Sequence, residues 1–156
     1  MGEVITREGL SEVVARLRAQ GRRIALTNGC FDLLHVGHVR YLTQARRLAD
    51  VLVVGLNSDD SVRRLKGPAR PLTEAGDRAE TLAALAAVDY VVIFEEDTAI
   101  PLLEEVAPDV YVKGGDFREE QVPEAPVARR LGCEVQMIGL APGRSTSDLI
   151  ERIKRL

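Results

Sequence analysis

Short, almost continuously apolar runs alternate along the chain with longer amphipathic stretches, and this alternation constrains the fold more than any other feature. The apolar runs have the length of strands that are covered on both faces, and they lie at 24–27, 51–56, 90–94, 110–112 and 135–138. The amphipathic stretches have the spacing of helices, and they lie at 8–20, 37–49, 58–65, 73–88, 98–106, 123–131 and 145–156. Strand–helix alternation favours a parallel sheet with right-handed crossovers. We therefore predict one α/β domain over residues 1–156, built on a doubly wound, five-stranded parallel sheet.

This architecture also predicts where a ligand would bind. In open α/β sheets, ligands lie beyond the carboxyl ends of the strands, near the point at which the strand order reverses. The loops that follow the strands are therefore the segments in which we expect the chemistry.

Charge and cysteine content argue against several classes of protein. The 156 residues include 21 basic and 24 acidic side chains, and a net charge of −3 argues against a protein that grips nucleic acid through its phosphates. The two cysteines, Cys30 and Cys133, are too few for a disulfide framework and lack the spacing of a zinc site, so we assign no metal ligands. No apolar run approaches the ~18 residues of a membrane helix, and the first residues lack a signal-peptide pattern. We expect a cytoplasmic protein that does not bind membranes.

The loop after the first predicted strand holds both histidines of the chain. His35 and His38 are three residues apart, and a helix that begins near Gly37 would place both imidazoles at its N-terminus. There, free backbone N–H groups and the helix dipole attract an anion, and a glycine lets a phosphate approach the backbone closely. The alternative is that His35 only caps the helix and that His38 is partly buried. The His-x-Gly-His spacing favours an anion site.

Residues 29–38 read Gly-Cys-Phe-Asp-Leu-Leu-His-Val-Gly-His, which resembles the signature of the cytidylyltransferase-like nucleotidyltransferase superfamily. The resemblance implies a Rossmann-like nucleotidyltransferase fold. It also implies transfer of a nucleotidyl group from a nucleoside triphosphate to a phosphorylated acceptor, with release of pyrophosphate, and catalytic roles for His35 and His38 at the α-phosphate. Such a transfer needs an in-line approach and donors aimed at the phosphate oxygens, and it needs no covalent enzyme intermediate.

The same resemblance implies nucleotide-binding roles for the rest of the loop. The backbones of Gly29, Cys30 and Phe31 would lie near the phosphates, together with that of Gly37. Asp32 would hold the loop or a divalent cation. Cys30 stands where many cytidylyltransferases have threonine, and we assign it no nucleophilic role. The cofactor that we expect is Mg²⁺ carried by the triphosphate, held by phosphates and waters more than by protein groups.

Basic residues after the second predicted strand are candidates for the acceptor site. Lys66 resembles the family's phosphate-contacting lysine, which implies catalytic and acceptor-binding roles; the alternative is a solvated surface lysine. Related glycerol-phosphate cytidylyltransferases carry a second lysine two residues further on, where this chain has Pro68, and Arg70 is a candidate to replace it. Arg78 resembles an arginine that the family points at the acceptor phosphate, and the alternative is a solvent-facing helix arginine.

Two further loops resemble nucleotide-binding elements of the family. After the strand predicted at 110–112, Lys113, Gly114 and Asp116 would contact the nucleotide, with a tight turn as the alternative. Before the last predicted helix, a second helix N-terminus would contact the triphosphate. Its residues are Arg144, Ser145, Thr146 and Ser147. The alternative there is that the hydroxyl side chains only cap the helix.

Most of the chain resembles one branch of the superfamily, the nucleotidyltransferase half of the bifunctional heptose-phosphate kinase/adenylyltransferases. The segments that carry the resemblance are 27–32, 57–59, 64–67, 70–71, 88–92, 94–98 and 112–116. The resemblance implies an adenylyltransferase that joins ATP and D-glycero-D-manno-heptose 1-phosphate into ADP-heptose and pyrophosphate. It also implies a sugar kinase on a separate chain, since 156 residues leave no room for one, and a homodimer, as is common in the superfamily.

The residues alone leave two alternatives open. A CTP-dependent cytidylyltransferase acting on glycerol 3-phosphate or a related alcohol phosphate would use the same loop, since base choice depends on backbone groups and pocket shape. A nucleotide-binding module without turnover would keep the pocket. The presence together of five site residues argues against such a module, namely His35, Gly37, His38, Lys66 and Asp116.

Overall fold

The predicted strands and helices are all present in the computed structural model, which describes residues 1–115, 117–140 and 143–156. The strands are β1 (Glu3–Ile5), β2 (Ile24–Gly29), β3 (Val51–Asn57), β4 (Tyr90–Phe94), β5 (Val110–Gly114) and β6 (Glu134–Ile138). The helices are α1 (Leu10–Ala19), α2 (Val36–Arg46), α3 (Asp59–Lys66), α4 (Ala75–Ala83), α5 (Ile100–Val106), α6 (Glu124–Arg130) and α7 (Thr146–Lys154). A 3₁₀ turn, Glu119–Gln121, lies between β5 and α6. Within the described ranges, none of the helices has the length and apolarity to cross a bilayer.

The sheet topology determines where a ligand site forms. The paired strands are parallel, and their order across the sheet is β1-β4-β3-β2-β5-β6. From the central β2 the chain adds β3 and β4 on one side, and it then crosses over to add β5 and β6 on the other. The strand order therefore reverses between β2 and β5, which pair through Leu26 and Tyr111. The predicted doubly wound α/β fold is confirmed, and the carboxyl ends of β2 and β5 form its topological switch point.

The sheet has six strands, whereas the sequence predicted five. The additional strand is β1, which pairs with β4 at the edge of the sheet, with Glu3 opposite Tyr90. Only one of its three residues, Ile5, is partly buried, so no apolar run marks the strand in the sequence. Tertiary contacts hold it in place instead, as when the Gly2 N–H donates to the Ala83 carbonyl at 2.7 Å.

Helices cover both faces of the sheet and create two apolar cores. One face carries α1, α5 and α6, packed on side chains that include Leu26 and Tyr111. The other carries α2 and α4, packed on alternate positions such as Ala25. Because successive side chains of a strand point to opposite faces, the end of β2 sends Thr27 toward α2 and Asn28 toward the α5 and α6 face. A ligand at the end of this strand therefore meets different helices on its two sides.

Candidate active site

A cavity of about 660 Å³ lies at the carboxyl ends of β2 and β5. Its volume is in the range of pockets that bind small molecules. The predicted site residues that it brings together are Gly29, Cys30, Phe31, Asp32, His38, Lys66, Arg70, Lys113, Gly114, Ser145, Thr146 and Ser147. The lining does not include His35, Gly37, Arg78 or Arg144. Asp116 lies outside the residues that the structure describes.

The two histidines stand at the N-terminus of α2, as predicted. His35 is the N-cap residue, and its Nδ1 accepts the Gly37 N–H at 3.1 Å. The Nδ1 of His38 in turn accepts the His35 N–H at 3.3 Å, and the ring centroids are 3.9 Å apart. The capping role that we held as the alternative for His35 is therefore present. It leaves the other ring nitrogen of each residue available, because a neutral imidazole that accepts at Nδ1 carries its proton at Nε2.

Both imidazoles are held in the neutral form. Burial lowers the pKa of His38 to about 4, and the neighbouring His35 adds to the effect. Burial also lowers the pKa of His35, although the charge of Asp148 opposes the shift. Near pH 7 the pair therefore offers two Nε2–H donors beside the free N–H groups of a helix N-terminus, an arrangement suited to the oxygens of a phosphate.

Gly37 is closely surrounded on the side where other residues carry a side chain. A Cβ at this position would lie 2.7 Å from the His35 Cε1 and 3.1 Å from the Arg144 carbonyl oxygen. The missing side chain therefore makes room for the His35 ring and for the segment before α7, and Gly37 does not line the main cavity. Gly37 therefore permits close packing between the two helix N-termini, and direct approach of a phosphate to its backbone stays a prediction.

The backbone between β2 and α2 turns sharply at Phe31, which lies in the left-handed region with φ of 47°. This conformation is unfavourable for a residue with a bulky side chain and marks a segment held by its surroundings. The Phe31 ring packs 5.4 Å from the His38 ring, between centroids, and lies close against Gly29. Burial raises the pKa of Cys30, which keeps its thiol protonated and agrees with the absence of a nucleophilic role.

Asp32 holds the loop together. Its carboxylate is almost fully buried and accepts the Arg70 Nε–H at 2.7 Å, together with the backbone N–H groups of Leu72 at 2.9 Å and Thr73 at 3.0 Å. Burial alone would raise the pKa of Asp32, but these donors outweigh it and hold that pKa below its ordinary value. Of the two roles predicted for Asp32, the structure supports that of holding the loop, and it fixes Arg70 beside the cavity.

Arg78 is buried, whereas the sequence analysis predicted a side chain that faces either the acceptor or the solvent. Its side chain is 1% exposed, so it neither lines the cavity nor faces solvent. The guanidinium donates to the carbonyls of Cys30 (2.7 Å), Asn57 (3.0 Å) and Thr73 (2.8 Å) and to the Asp59 carboxylate (2.7 Å). These contacts join the segments after β2 and β3 to α4. In this structure Arg78 positions these segments, and its contact with an acceptor phosphate stays a prediction.

Two lysines bring positive charge to the lining. Lys66 ends α3 and is exposed at one border of the cavity, and Lys113 lies near the end of β5. The Lys113 Nζ is 6.0 Å from the centroid of the Phe117 ring, within reach of a cation–π interaction. Gly114 permits close packing, because a Cβ there would lie 2.9 Å from the Tyr41 ring.

A second helix N-terminus meets the first. The Ser145 Oγ caps α7 by accepting the Asp148 N–H at 3.0 Å, so the capping alternative holds for this residue. The Thr146 hydroxyl donates to the Leu33 carbonyl at 3.0 Å, which ties α7 to the histidine loop. Ser145, Thr146 and Ser147 all line the cavity, and α7 directs a second set of free N–H groups toward it.

Arg144 and His35 line a smaller recess of about 230 Å³. Asp148 and Arg152 of α7 complete its polar wall, and Ser145 borders both the recess and the main cavity. The histidine pair is thereby divided between two adjoining spaces, with His38 in the cavity and His35 in the recess.

Several lining residues were not predicted, including Asn28, Asn57, Asp97, Thr98 and Glu124. Asn28 is the penultimate residue of β2 and Asn57 the last residue of β3, and a polar residue near the end of an apolar strand is a signal that could have found them. Glu124 begins α6 and has no such signal. It reaches the cavity only because α6 packs beside α5 on the sheet.

Comparison with known proteins identifies the family to which this chain belongs. Residues 26–152 match the family described as Cytidylyltransferase-like. The chain belongs to the cytidylyltransferase-like family. The predicted resemblance to this superfamily is confirmed, and with it the prediction of a nucleotidyltransferase.

The similar proteins include the Bifunctional protein HldE of Syntrophotalea carbinolica, 54% identical over 94% of this chain, and that of Magnetococcus marinus, 56% identical over 90%. The aligned region makes up 30% and 29% of these relatives, so the chain spans about a third of their length. A crystal structure of the lipopolysaccharide core biosynthesis protein from Thermoplasma volcanium is similar with a TM-score of 0.64 and 29% identity, over 78% of this chain and 98% of that one.

Proposed function

We propose that the chain is an adenylyltransferase that joins ATP and D-glycero-D-manno-heptose 1-phosphate to give ADP-heptose and pyrophosphate. The observation that carries the transfer chemistry is the histidine pair at the N-terminus of α2, where both Nδ1 atoms are bonded to the backbone. The choice of ATP and of the heptose acceptor is supported by the resemblance to the bifunctional heptose-phosphate enzymes and by the identity of 54% and 56% to the HldE proteins.

In the proposed reaction, both histidines donate hydrogen bonds to the phosphate at which the transfer occurs. An oxygen of the acceptor phosphate attacks the α-phosphorus of ATP, the bond from that phosphorus to the oxygen bridging to the β-phosphate breaks, and pyrophosphate leaves with the bonding electrons. His38 lines the main cavity and would donate to the α-phosphate, while His35 would donate from the adjoining recess. Preorganised donors of this kind stabilise the charge that develops in the transition state.

The remaining cationic groups fit the two substrates. The recess with Arg144 and Arg152 would take the leaving phosphates, beside the free N–H groups of α7. Lys113 would also bind the nucleotide, and Lys66 and Arg70 would bind the acceptor phosphate. ATP enters as its magnesium complex, in which the ion is held mainly by phosphates and water.

The proposal extends to the setting of the enzyme. A sugar kinase would supply the acceptor, and the enzyme would act in the cytoplasm, where ATP is available. We also propose a homodimer, and sedimentation of the purified protein measures that state directly.

A matrix of substrates tests the activity. ATP and CTP are each combined with heptose 1-phosphate and with glycerol 3-phosphate, pyrophosphate release is measured, and the product is identified by mass spectrometry. We expect turnover with ATP and heptose 1-phosphate. Turnover only with CTP and glycerol 3-phosphate would replace the proposal by the cytidylyltransferase alternative. Binding of ATP without pyrophosphate from either acceptor would indicate a module without turnover.

A further inference from the structure

The main cavity has two chemically different sides. On the α2 and α7 side it presents His38, the hydroxyl residues that open α7 and two helix N-termini, all of which favour phosphate. On the α5 and α6 side it presents Asn28, Thr98 and the negatively charged Glu124, together with Lys113, which lies on the same face of β5 as Tyr111. A phosphate is repelled by a carboxylate, so the second side has the chemistry for a different part of a substrate.

Glu124 is the distinctive residue of this second side. It is 4% exposed, although it lies at the first turn of a helix and carries a charge that is rarely buried without a role. Its Oε1 accepts the Ala99 N–H at 3.0 Å, just before α5. Within the described part of the chain this is the one hydrogen bond of its side chain, and Glu124 lines the cavity. A buried carboxylate oxygen facing a cavity calls for a donor from the ligand.

Asn28 complements this acceptor. Its Oδ1 accepts the Tyr111 hydroxyl at 2.5 Å, which fixes the orientation of the amide and leaves the Nδ2 hydrogens to donate elsewhere. Burial raises the pKa of Tyr111, and the charge of Glu124 raises it further, so the carboxylate lies near the same hydroxyl. Donors from Asn28 and an acceptor from Glu124 together match a hydroxyl group, which both donates and accepts.

We infer that Glu124, supported by Asn28, is a specificity-determining residue that binds neighbouring hydroxyls of the acceptor sugar. The inference rests on the proposed function, because it takes the acceptor to be a sugar phosphate. With its hydroxyls at Glu124, the acceptor points its phosphate toward Lys66 and the histidines. The carboxylate thereby selects polyhydroxylated phosphates over simple ones and orients them for attack.

Direct binding measurements test this inference. Isothermal titration in the presence of a non-hydrolysable ATP analogue compares heptose 1-phosphate with methyl phosphate, which has the phosphate and lacks the hydroxyls. For Glu124→Gln, the amide oxygen retains the Ala99 contact while the charge is lost. We expect the preference for the sugar phosphate to fall by about 10- to 100-fold, as for loss of hydrogen bonds to a charged group. Glu120→Gln removes the same charge from an exposed residue outside the lining and should leave the preference unchanged.

The outcomes separate the inference from the proposed function. An unchanged preference in Glu124→Gln, or a wild-type protein that binds both phosphates equally, would overturn the inference. Weaker binding of the ATP analogue alone would also overturn it, because the hydroxyls bound would then be those of the ribose. If Glu124→Gln lowers the thermal midpoint, Glu124→Asp is the second variant. Its shorter side chain keeps the charge but moves it away from the cavity, and it should show the same loss of preference for the sugar phosphate over methyl phosphate. Absence of pyrophosphate release by the wild type would instead overturn the proposed function, and the binding ratio would still decide the role of Glu124.

Discussion

Substituting His35 in two ways separates its capping role from its catalytic role. His35→Ala removes the acceptor that caps the Gly37 N–H, and loss of an N-cap costs about 1 kcal/mol. For a chain of this size that corresponds to a fall of roughly 2–4 °C in the thermal midpoint. Asparagine is among the best N-cap residues, so His35→Asn should restore the midpoint. Neither variant has the Nε2–H donor, and loss of one such donor lowers kcat by about 10²–10³.

The assay pairs thermal unfolding with pyrophosphate release from ATP and heptose 1-phosphate. A matched control is Ser58→Ala, which removes the N-cap of α3, where the Ser58 Oγ accepts the Ser61 N–H at 3.1 Å. It should show a similar fall in midpoint with nearly normal kcat. A stable His35→Asn variant with nearly normal turnover would refute the reasoning, since His35 would then act only as a cap.

Two further substitutions test the residues that hold the loop. Asp32→Asn leaves Arg70 without its partner and should lower the free energy of unfolding by about 3 kcal/mol at neutral pH. The native pKa of Asp32 is lowered, so this contribution is present above the unfolded-state pKa and is lost as the pH falls through the native pKa. Chemical denaturation should therefore show the free energies of unfolding of the wild type and of Asp32→Asn converging in acid. A difference in free energy that persists in acid contradicts the assignment. Arg78→Lys cannot reach all four acceptors of the guanidinium and should reduce the free energy of unfolding by about 2 kcal/mol or more. A selective rise in the KM for the acceptor with unchanged stability would instead restore the phosphate contact predicted from the sequence.

The features that the sequence predicted well are local ones. The first loop could be interpreted because its residues are neighbours in the chain, and a helix starting beside Gly37 necessarily places His35 and His38 together. The fold class followed from the alternation of apolar runs and amphipathic stretches, which is likewise read within short windows. The strand β1 was not predicted, because its three residues carry no such pattern and the strand depends on pairing with β4.

The features that the sequence missed depend on contacts between distant segments. Arg78 is buried because carbonyl groups from the ends of β2 and β3 converge on it, and nothing in the sequence of α4 marks that convergence. Glu124 enters the site because α6 begins beside the Ala99 backbone, 25 residues away in the chain. Gly37 was assigned to the correct loop, but the group that it accommodates, the Arg144 carbonyl, comes from the far end of the sequence.

The catalytic role of His38 is tested most directly by the kcat of His38→Ala. This kcat is measured as pyrophosphate release at saturating ATP and heptose 1-phosphate, and the dissociation constant of ATP is determined on the same preparation. If a neutral Nε2–H at this position stabilises the α-phosphate during transfer, kcat falls by about 10²-fold or more while ATP affinity changes far less. A variant that binds ATP and turns over at nearly the wild-type rate would show that the reacting phosphorus lies elsewhere.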